Sequence, residues 1–197
     1  MFPQNLLLHH LVDVDDCLLV LIDIQDVFLQ KCAPDTAQQL VDRVGWLMEV
    51  AGSLSVPMLV TAEDLAVCGS MIPSLMALLP ANTPVYNKMF FGLAGNPEIL
   101  KAVDDFGRKT VVLVGLETDV CIAQSAIGLM NHGYQVAVVT DAVASPGEAQ
   151  QIGLERMRSA GVLLTSTKAL YYEWVRGVEK SAAVARMTKH RFPAPPL

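Results

Sequence analysis

Thr110–Ser125 reads TVVLVGLETDVCIAQS. The run Val111–Val114 is apolar and β-branched, as suits a strand covered on both faces, and Gly115 ends it. Glu117, Thr118 and Asp119 are polar residues where a helix would begin, and Thr118 or Asp119 is placed to cap its first free amides. Val120, Ile122, Ala123, Ala126, Ile127 and Met130 then give a helix buried over a wide face, closed by Asn131, His132 and Gly133. Cys121 falls in the first turn of that helix. There the helix dipole is expected to lower its thiol pKa toward the thiolate, the form that attacks carbonyls. A free cysteine is more often an inert packing residue than a nucleophile, so its role depends on what the remaining chain brings to it.

Outward from this stretch, the same alternation repeats. Cys17–Asp23, CLLVLID, is an apolar run too short for an ordinary helix and ends on a carboxylate, so it reads as the first central strand. Pro34 and Asp35 introduce a helix, roughly Thr36–Ser53, with Leu40, Val41, Val44, Leu47, Met48 and Ala51 on one stripe. Pro57–Thr61 reads as the second strand. Gly69 and Pro73 break the next segment, in which Ser74–Leu79 is a candidate short helix. Thr83–Lys88 reads as a third strand ending on a cation, and Asn96 and Pro97 as the N-cap and first residue of a helix. Gln135–Thr140 and Val162–Thr165 are the fifth and sixth strands, with helices expected at Glu148–Ala160 and Thr167–Arg186. The tail RFPAPPL reads as extended, docking on a neighbour or dangling.

Strands separated by helices imply right-handed crossovers and a mostly parallel sheet between helical layers, a doubly wound three-layer α/β sandwich. At 197 residues, 52% of them hydrophobic, the chain suits one well-packed core, so residues 1–197 are read as a single domain with a short N-terminal arm and a Pro-rich tail. Net charge −6 and a pI near 5.1 argue against nucleic-acid and anionic-membrane partners. No apolar run approaches the roughly 18 to 20 residues that span a bilayer. The opening MFPQNLLLHHLVDVDD lacks a basic region and a small-residue cleavage site, so a cytoplasmic protein is expected. Cys17, Cys32, Cys68 and Cys121 show no CxxC spacing and read as free thiols. No cofactor is expected, and no nucleotide-binding GxGxxG or GxxxxGK[ST] follows a strand.

In open parallel sheets, reactive groups gather beyond the carboxyl ends of the strands where strand order reverses. Asp23, Lys88 and Cys121 each fall at such an end. A thiol is only a few per cent ionised at neutral pH, so a carboxylate to take its proton and an ammonium to stabilise the thiolate serve one purpose. The backbone amides of Glu117 and Cys121 are candidate oxyanion donors. Phe28, Leu65, Phe90 and Phe91 are candidate pocket residues, although large apolar side chains are usually core.

The blocks LLVLIDIQDVF, YNKMFFG and VLVGLETDVCIAQSAIGLMNHGYQVAVVTDAVAS resemble, in order, the three signature blocks of the isochorismatase-like cysteine hydrolases, from about Leu18 to near Ala160. The resemblance implies a six-stranded parallel sheet, an Asp23–Lys88–Cys121 catalytic triad and a non-proline cis peptide between Leu116 and Glu117. Nicotinamidases of this family bind a divalent metal through an Asp and several His after the second strand, whereas TAEDLAVCGSMIP has no His. No catalytic metal and no nicotinamidase activity are therefore expected. Isochorismatases proper lack the Cys, which argues against that reaction as well. Gly92 stands where many relatives carry Ser. The neighbouring His9 and His10 point different ways in regular structure and read as surface or interface residues.

The expected activity is hydrolysis of a small amide or related C–N bond through a thioester. The alternatives are a thiol-based redox or electrophile sensor, which would need Cys32 or Cys68 near Cys121, and a non-catalytic binding protein on the same fold. Apolar surface on the later helices and the tail suggest a homo-oligomer, as the resemblance also implies.

Overall fold

The computed structural model describes residues 11–196; His9, His10 and most of the N-terminal arm lie outside them. Six strands form one sheet: β1 (Cys17–Ile22), β2 (Met58–Glu63), β3 (Val85–Lys88), β4 (Thr110–Leu116), β5 (Gln135–Ala144) and β6 (Leu163–Thr165). Their order is β3-β2-β1-β4-β5-β6 and every pairing is parallel. Strand order therefore reverses between β1 and β4, and the crevice beyond their carboxyl ends is where such a sheet places ligands.

β1 and β4 are buried along their whole length. Because side chains alternate across a strand, Leu18, Val20 and Ile22 join one core while Leu19 and Leu21 join the other. The first core also takes residues of α5 (Pro97–Asp105), α6 (Ala123–Asn131) and α7 (Ala149–Ser159). The second packs beneath α2 (Pro34–Ser53) and α8 (Thr167–Val175). Two single-turn helices, α3 (Leu65–Cys68) and α4 (Pro73–Met76), fill the segment after β2, and a short α1 (Asp26–Leu29) follows β1. Among the described residues no helix is long and apolar enough to cross a membrane.

Four expectations need correction. The helix expected at Thr167–Arg186 is two helices: Arg176 turns left-handed (φ 60°) and α9 (Val178–Met187) starts after Gly177. β4 does not end at Gly115. It runs on to Leu116 because Gly115, at φ 122°, lets the β1 backbone approach; a Cβ there would sit 2.0 Å from the Ile22 carbonyl oxygen. β5 continues past Thr140, since Asp141 Oδ1 accepts from the Thr167 amide (2.8 Å) and hydroxyl (2.9 Å) and so is satisfied within the fold. Finally, the tail docks on its own chain, with Phe192 against Gly45 of α2 and the Arg191 amide on the Glu49 carboxylate.

Candidate functional site

β1, β2, β3 and β4 point their carboxyl ends at one place. Just past β1, Asp23 adopts a left-handed conformation (φ 52°), which Asp tolerates better than most residues. Its amide donates to the Thr61 carbonyl of β2 at 3.2 Å, and the Thr61 hydroxyl donates to Oδ1, also at 3.2 Å. Lys88, last in β3, reaches back across β2 until Nζ lies 2.9 Å from Asp23 Oδ2. Oδ2 receives no well-directed hydrogen bond despite that ion pair, so it keeps acceptor capacity.

Beyond β4, the Leu116–Glu117 peptide is cis. The chain then makes a wide turn over Thr118–Ile122, closed by the Ile122 amide on the Glu117 carbonyl five residues back (3.0 Å). Such π-type turns recur at functional sites. The Thr118 and Asp119 side chains do not cap the helix as expected. The Thr118 hydroxyl donates to Gln150 and Asp119 accepts from Ser145, each at 2.6 Å, which ties the turn to α7 and the end of β5. Cys121 Sγ is delivered 3.5 Å from Lys88 Nζ.

A fourth group completes the cluster, and sequence reading did not single it out. Glu63, last in β2 and the register partner of Lys88, brings Oε2 within 3.4 Å of Cys121 Sγ and 3.5 Å of Lys88 Nζ. Buried Gln25 fixes its backbone: the amide of Glu63 donates to Oε1 (2.8 Å) and Nε2 donates to its carbonyl (2.9 Å). Its signal was the acidic residue two positions past the expected end of the second strand.

Burial is uneven. Lys88 is 0%, Asp23 1% and Cys121 4% exposed, whereas the Glu63 side chain is 22% exposed and forms the edge of the cluster facing water. The electrostatics follow. Burial, then the negative charge of Asp23, pushes the Cys121 thiol well above the usual thiol range, with Lys88 opposing. The expectation of a depressed thiol pKa is thus overturned, because desolvation and two carboxylates outweigh the helix end. Burial also raises Asp23 against the pull of Lys88. For Lys88 itself burial disfavours the charge, but Asp23, Cys121 and Glu63 together outweigh it and raise its pKa. The resting site therefore holds a neutral thiol beside a charged ammonium, with Asp23 a readier proton acceptor than a solvated carboxylate.

Oxygens of Asp23 and Glu63 and the sulfur of Cys121 lie within 4.8 Å of one another, a spacing compatible with a metal ion. Lys88 Nζ contacts all three, at 2.9, 3.5 and 3.5 Å, and its charge already occupies the position a cation would take. The set does not fit a divalent ion.

Of the candidate pocket residues, Phe91 sets its ring over the cluster, the centroid 5.8 Å from Lys88 Nζ, and the Phe90 carbonyl accepts from Nζ at 3.4 Å. Phe90 and Phe91 are exposed and line a hollow of about 360 Å³ with Gln124 and Gly128 of α6. Leu65 is half-buried at the start of α3, while Phe28 packs in the core with Lys31 Nζ 4.6 Å from its ring. Lys31 in turn pairs with Glu117 at 3.2 Å. Asn96 does not cap α5. It accepts from the amides of Met89 and Phe90 and donates to the carbonyls of Phe90 and Gly92, holding the loop after Lys88. A separate cavity of about 680 Å³ lies at the amino end of β2 against the tail and contains none of these groups.

Residues 17–169 match the Isochorismatase domain. The chain belongs to the isochorismatase family. Among relatives of this family member, isochorismatase domain-containing protein 2A of Mus musculus is 32% identical over 164 residues, covering 82% of this chain and 76% of its own. The six-stranded parallel sheet is that of solved isochorismatase-like hydrolases. The structure of MAR1 ribonuclease from Caenorhabditis elegans superposes with a TM-score of 0.81 at 26% identity, covering 95% of this family member and 98% of that chain. The YcaC protein of Escherichia coli, described as an octameric hydrolase of unknown specificity, gives 0.79 at 24% identity, with 90% of each chain covered.

Proposed function

We propose that the chain is a cysteine hydrolase that cleaves a small amide or related C–N bond through a thioester on Cys121. The observation that carries this reading is the placement of Lys88 Nζ between Asp23 Oδ2 (2.9 Å) and Cys121 Sγ (3.5 Å) at the point where strand order reverses. Asp23 takes the thiol proton as sulfur attacks the carbonyl carbon, and Lys88 offsets the negative charge that the buried sulfur acquires. The amides of Glu117 and Cys121 receive the developing oxyanion, a contribution of about 3 to 4 kcal/mol per donor in comparable sites. Asp23 then passes its proton to the departing nitrogen, and water cleaves the thioester.

A neutral resting thiol suits this sequence, because proton transfer and attack are coupled once substrate expels water. It suits a redox sensor poorly, since peroxide reacts with exposed thiolate and this sulfur is neither. The ribonuclease activity named for the C. elegans relative does not suit a chain of net charge −6 whose site has a carboxylate as its outermost group. Self-association is the further expectation, supported by the exposed apolar side chains of Met89, Phe90 and Phe91.

Ammonia release from a panel of small amides, with wild type and Cys121→Ala compared, tests the reading. Release by the wild type alone supports it, and equal release by both rejects the mechanism.

A further inference from the structure

The proposed chemistry has two halves, and the four clustered groups are not equivalent for the second. Acylation needs a base near the thiol, and a carboxylate oxygen of Asp23 lies within 4.8 Å of the sulfur. Deacylation needs a base beside a water molecule that enters after the amine has left. Asp23 is 1% exposed and lies under Lys88, with Thr61 on its other oxygen, so incoming water meets Glu63 first. Glu63 is the carboxylate at the solvent edge, and its Oε2 is already 3.4 Å from the sulfur that would carry the acyl group. A water attacking that acyl carbon from the solvent side falls within hydrogen-bonding reach of the Glu63 carboxylate, the first requirement of a general base. The Gln25 clamp on the Glu63 backbone and its pairing with Lys88 hold the group in place before substrate arrives.

We infer that Glu63 is a second catalytic carboxylate, the base that activates water for hydrolysis of the Cys121 thioester. This assignment rests on the hydrolase reading above. Water oxygen bonds to the acyl carbon while its proton passes to Glu63. The carbon–sulfur bond then breaks, its electron pair stays on sulfur beside the Lys88 ammonium, and Glu63 returns the proton to sulfur along the Sγ–Oε2 contact. The acid departs, and the thiol and both carboxylates are as they began. The elevated thiol pKa agrees with a sulfur that recovers its proton at the end of each turnover.

The test uses 4-nitrophenyl acetate, whose phenolate leaves without protonation and so isolates acyl transfer from amine departure. Wild type should release nitrophenolate continuously and only with Cys121 present. Glu63→Gln should release about one equivalent per site, then slow by roughly 10²-fold, with acetyl-Cys121 accumulating in the intact mass spectrum. Its iodoacetamide alkylation should proceed at or above the wild-type rate, since a negative charge beside the sulfur has gone while the nucleophile is intact. Should Glu63→Gln not fold, Glu63→Asp keeps the charge one methylene further back and should show the same split in milder form.

Steady turnover within twofold of wild type, or equal loss of the first equivalent and the steady phase, overturns the assignment and leaves the parent reading standing. Wild-type release that does not depend on Cys121 removes both.

Discussion

Lys88 Nζ lies 2.9 Å from Asp23 Oδ2 with neither side chain more than 1% exposed, so an ion pair is built into the floor of the site. Taking two such charges from water costs several kcal/mol each, which their attraction offsets only while both are present. Lys88→Met should therefore destabilise the fold by about 3 to 5 kcal/mol in urea unfolding, as expected when a buried charge loses its partner. Asp23→Asn combined with Lys88→Met removes both charges and should recover most of that loss while remaining inactive. A double variant as unstable as the single one would show that packing around the lysine stem, not charge balance, sets the cost.

The same burial makes a prediction about reactivity that opposes the simple picture of a helix-end thiolate. Cys121 is held protonated by desolvation first and Asp23 second, with Lys88 the group pulling the other way. Without substrate, Cys121 should react with iodoacetamide roughly tenfold more slowly than half-buried Cys68 at neutral pH, and its rate should climb as pH rises past the ordinary thiol range. Lys88→Met should slow it further. Peptide mass spectrometry resolves the two sites, and faster labelling of Cys121 than of Cys68 would contradict this account.

What the sequence made legible, and what it hid, divides along the range of the interactions. β1 and β4 are buried on both faces and read as strands from local composition alone, and Asp23, Lys88 and Cys121 mark three of the four strand ends that converge. Glu63 escaped because β-branched residues stop at Thr61. Ala62 and Glu63 are strand only through pairing with Asn87 and Lys88, residues chosen by tertiary register. The thiol's titration is hidden for the same reason: a helix end is visible locally, whereas the carboxylates of Asp23 and Glu63 and the burial arrive from distant segments. Asn96 occupies the expected N-cap position, yet four backbone groups of the preceding loop engage its side chain instead.

Cys17 provides a pH-dependent handle on stability, distinct from the site. Burial pushes its thiol from 9.0 up to about 12, with Trp174 and Arg108 only partly opposing. The folded state keeps this proton to about pH 12, whereas the unfolded chain releases it near 9. Between those values the unfolded state binds fewer protons, so stability is full below the lower value and falls by about 1.4 kcal/mol per pH unit above it. Cys17→Ala should be less stable at neutral pH through lost packing and show a shallower alkaline decline, by about one proton's slope. Urea midpoints measured on both sides of the thiol range check this; parallel declines in both proteins would remove Cys17 as the cause.

The turn that carries Cys121 owes its position to a helix that contributes nothing to the chemistry. A Cβ on Gly153 of α7 would sit 2.7 Å from Asp119 Cα, 2.8 Å from its nitrogen and 2.9 Å from the Thr118 carbonyl carbon. These are backbone atoms and cannot rotate aside, so Gly153→Ala must move the turn or the helix. Overpacking of this kind costs about 1 to 3 kcal/mol, but the larger effect should be on the sulfur, since a displacement near 1 Å can cost about 10²-fold in rate. Gly52→Ala in α2, where a Cβ meets nothing within 4 Å, is the control and should be neutral or slightly stabilising. Amide turnover and Cys121 alkylation measured on both variants beside urea unfolding separate the two effects. Loss of activity in Gly153→Ala no greater than its loss of folded protein would mean that the turn holds the sulfur in place without help from α7.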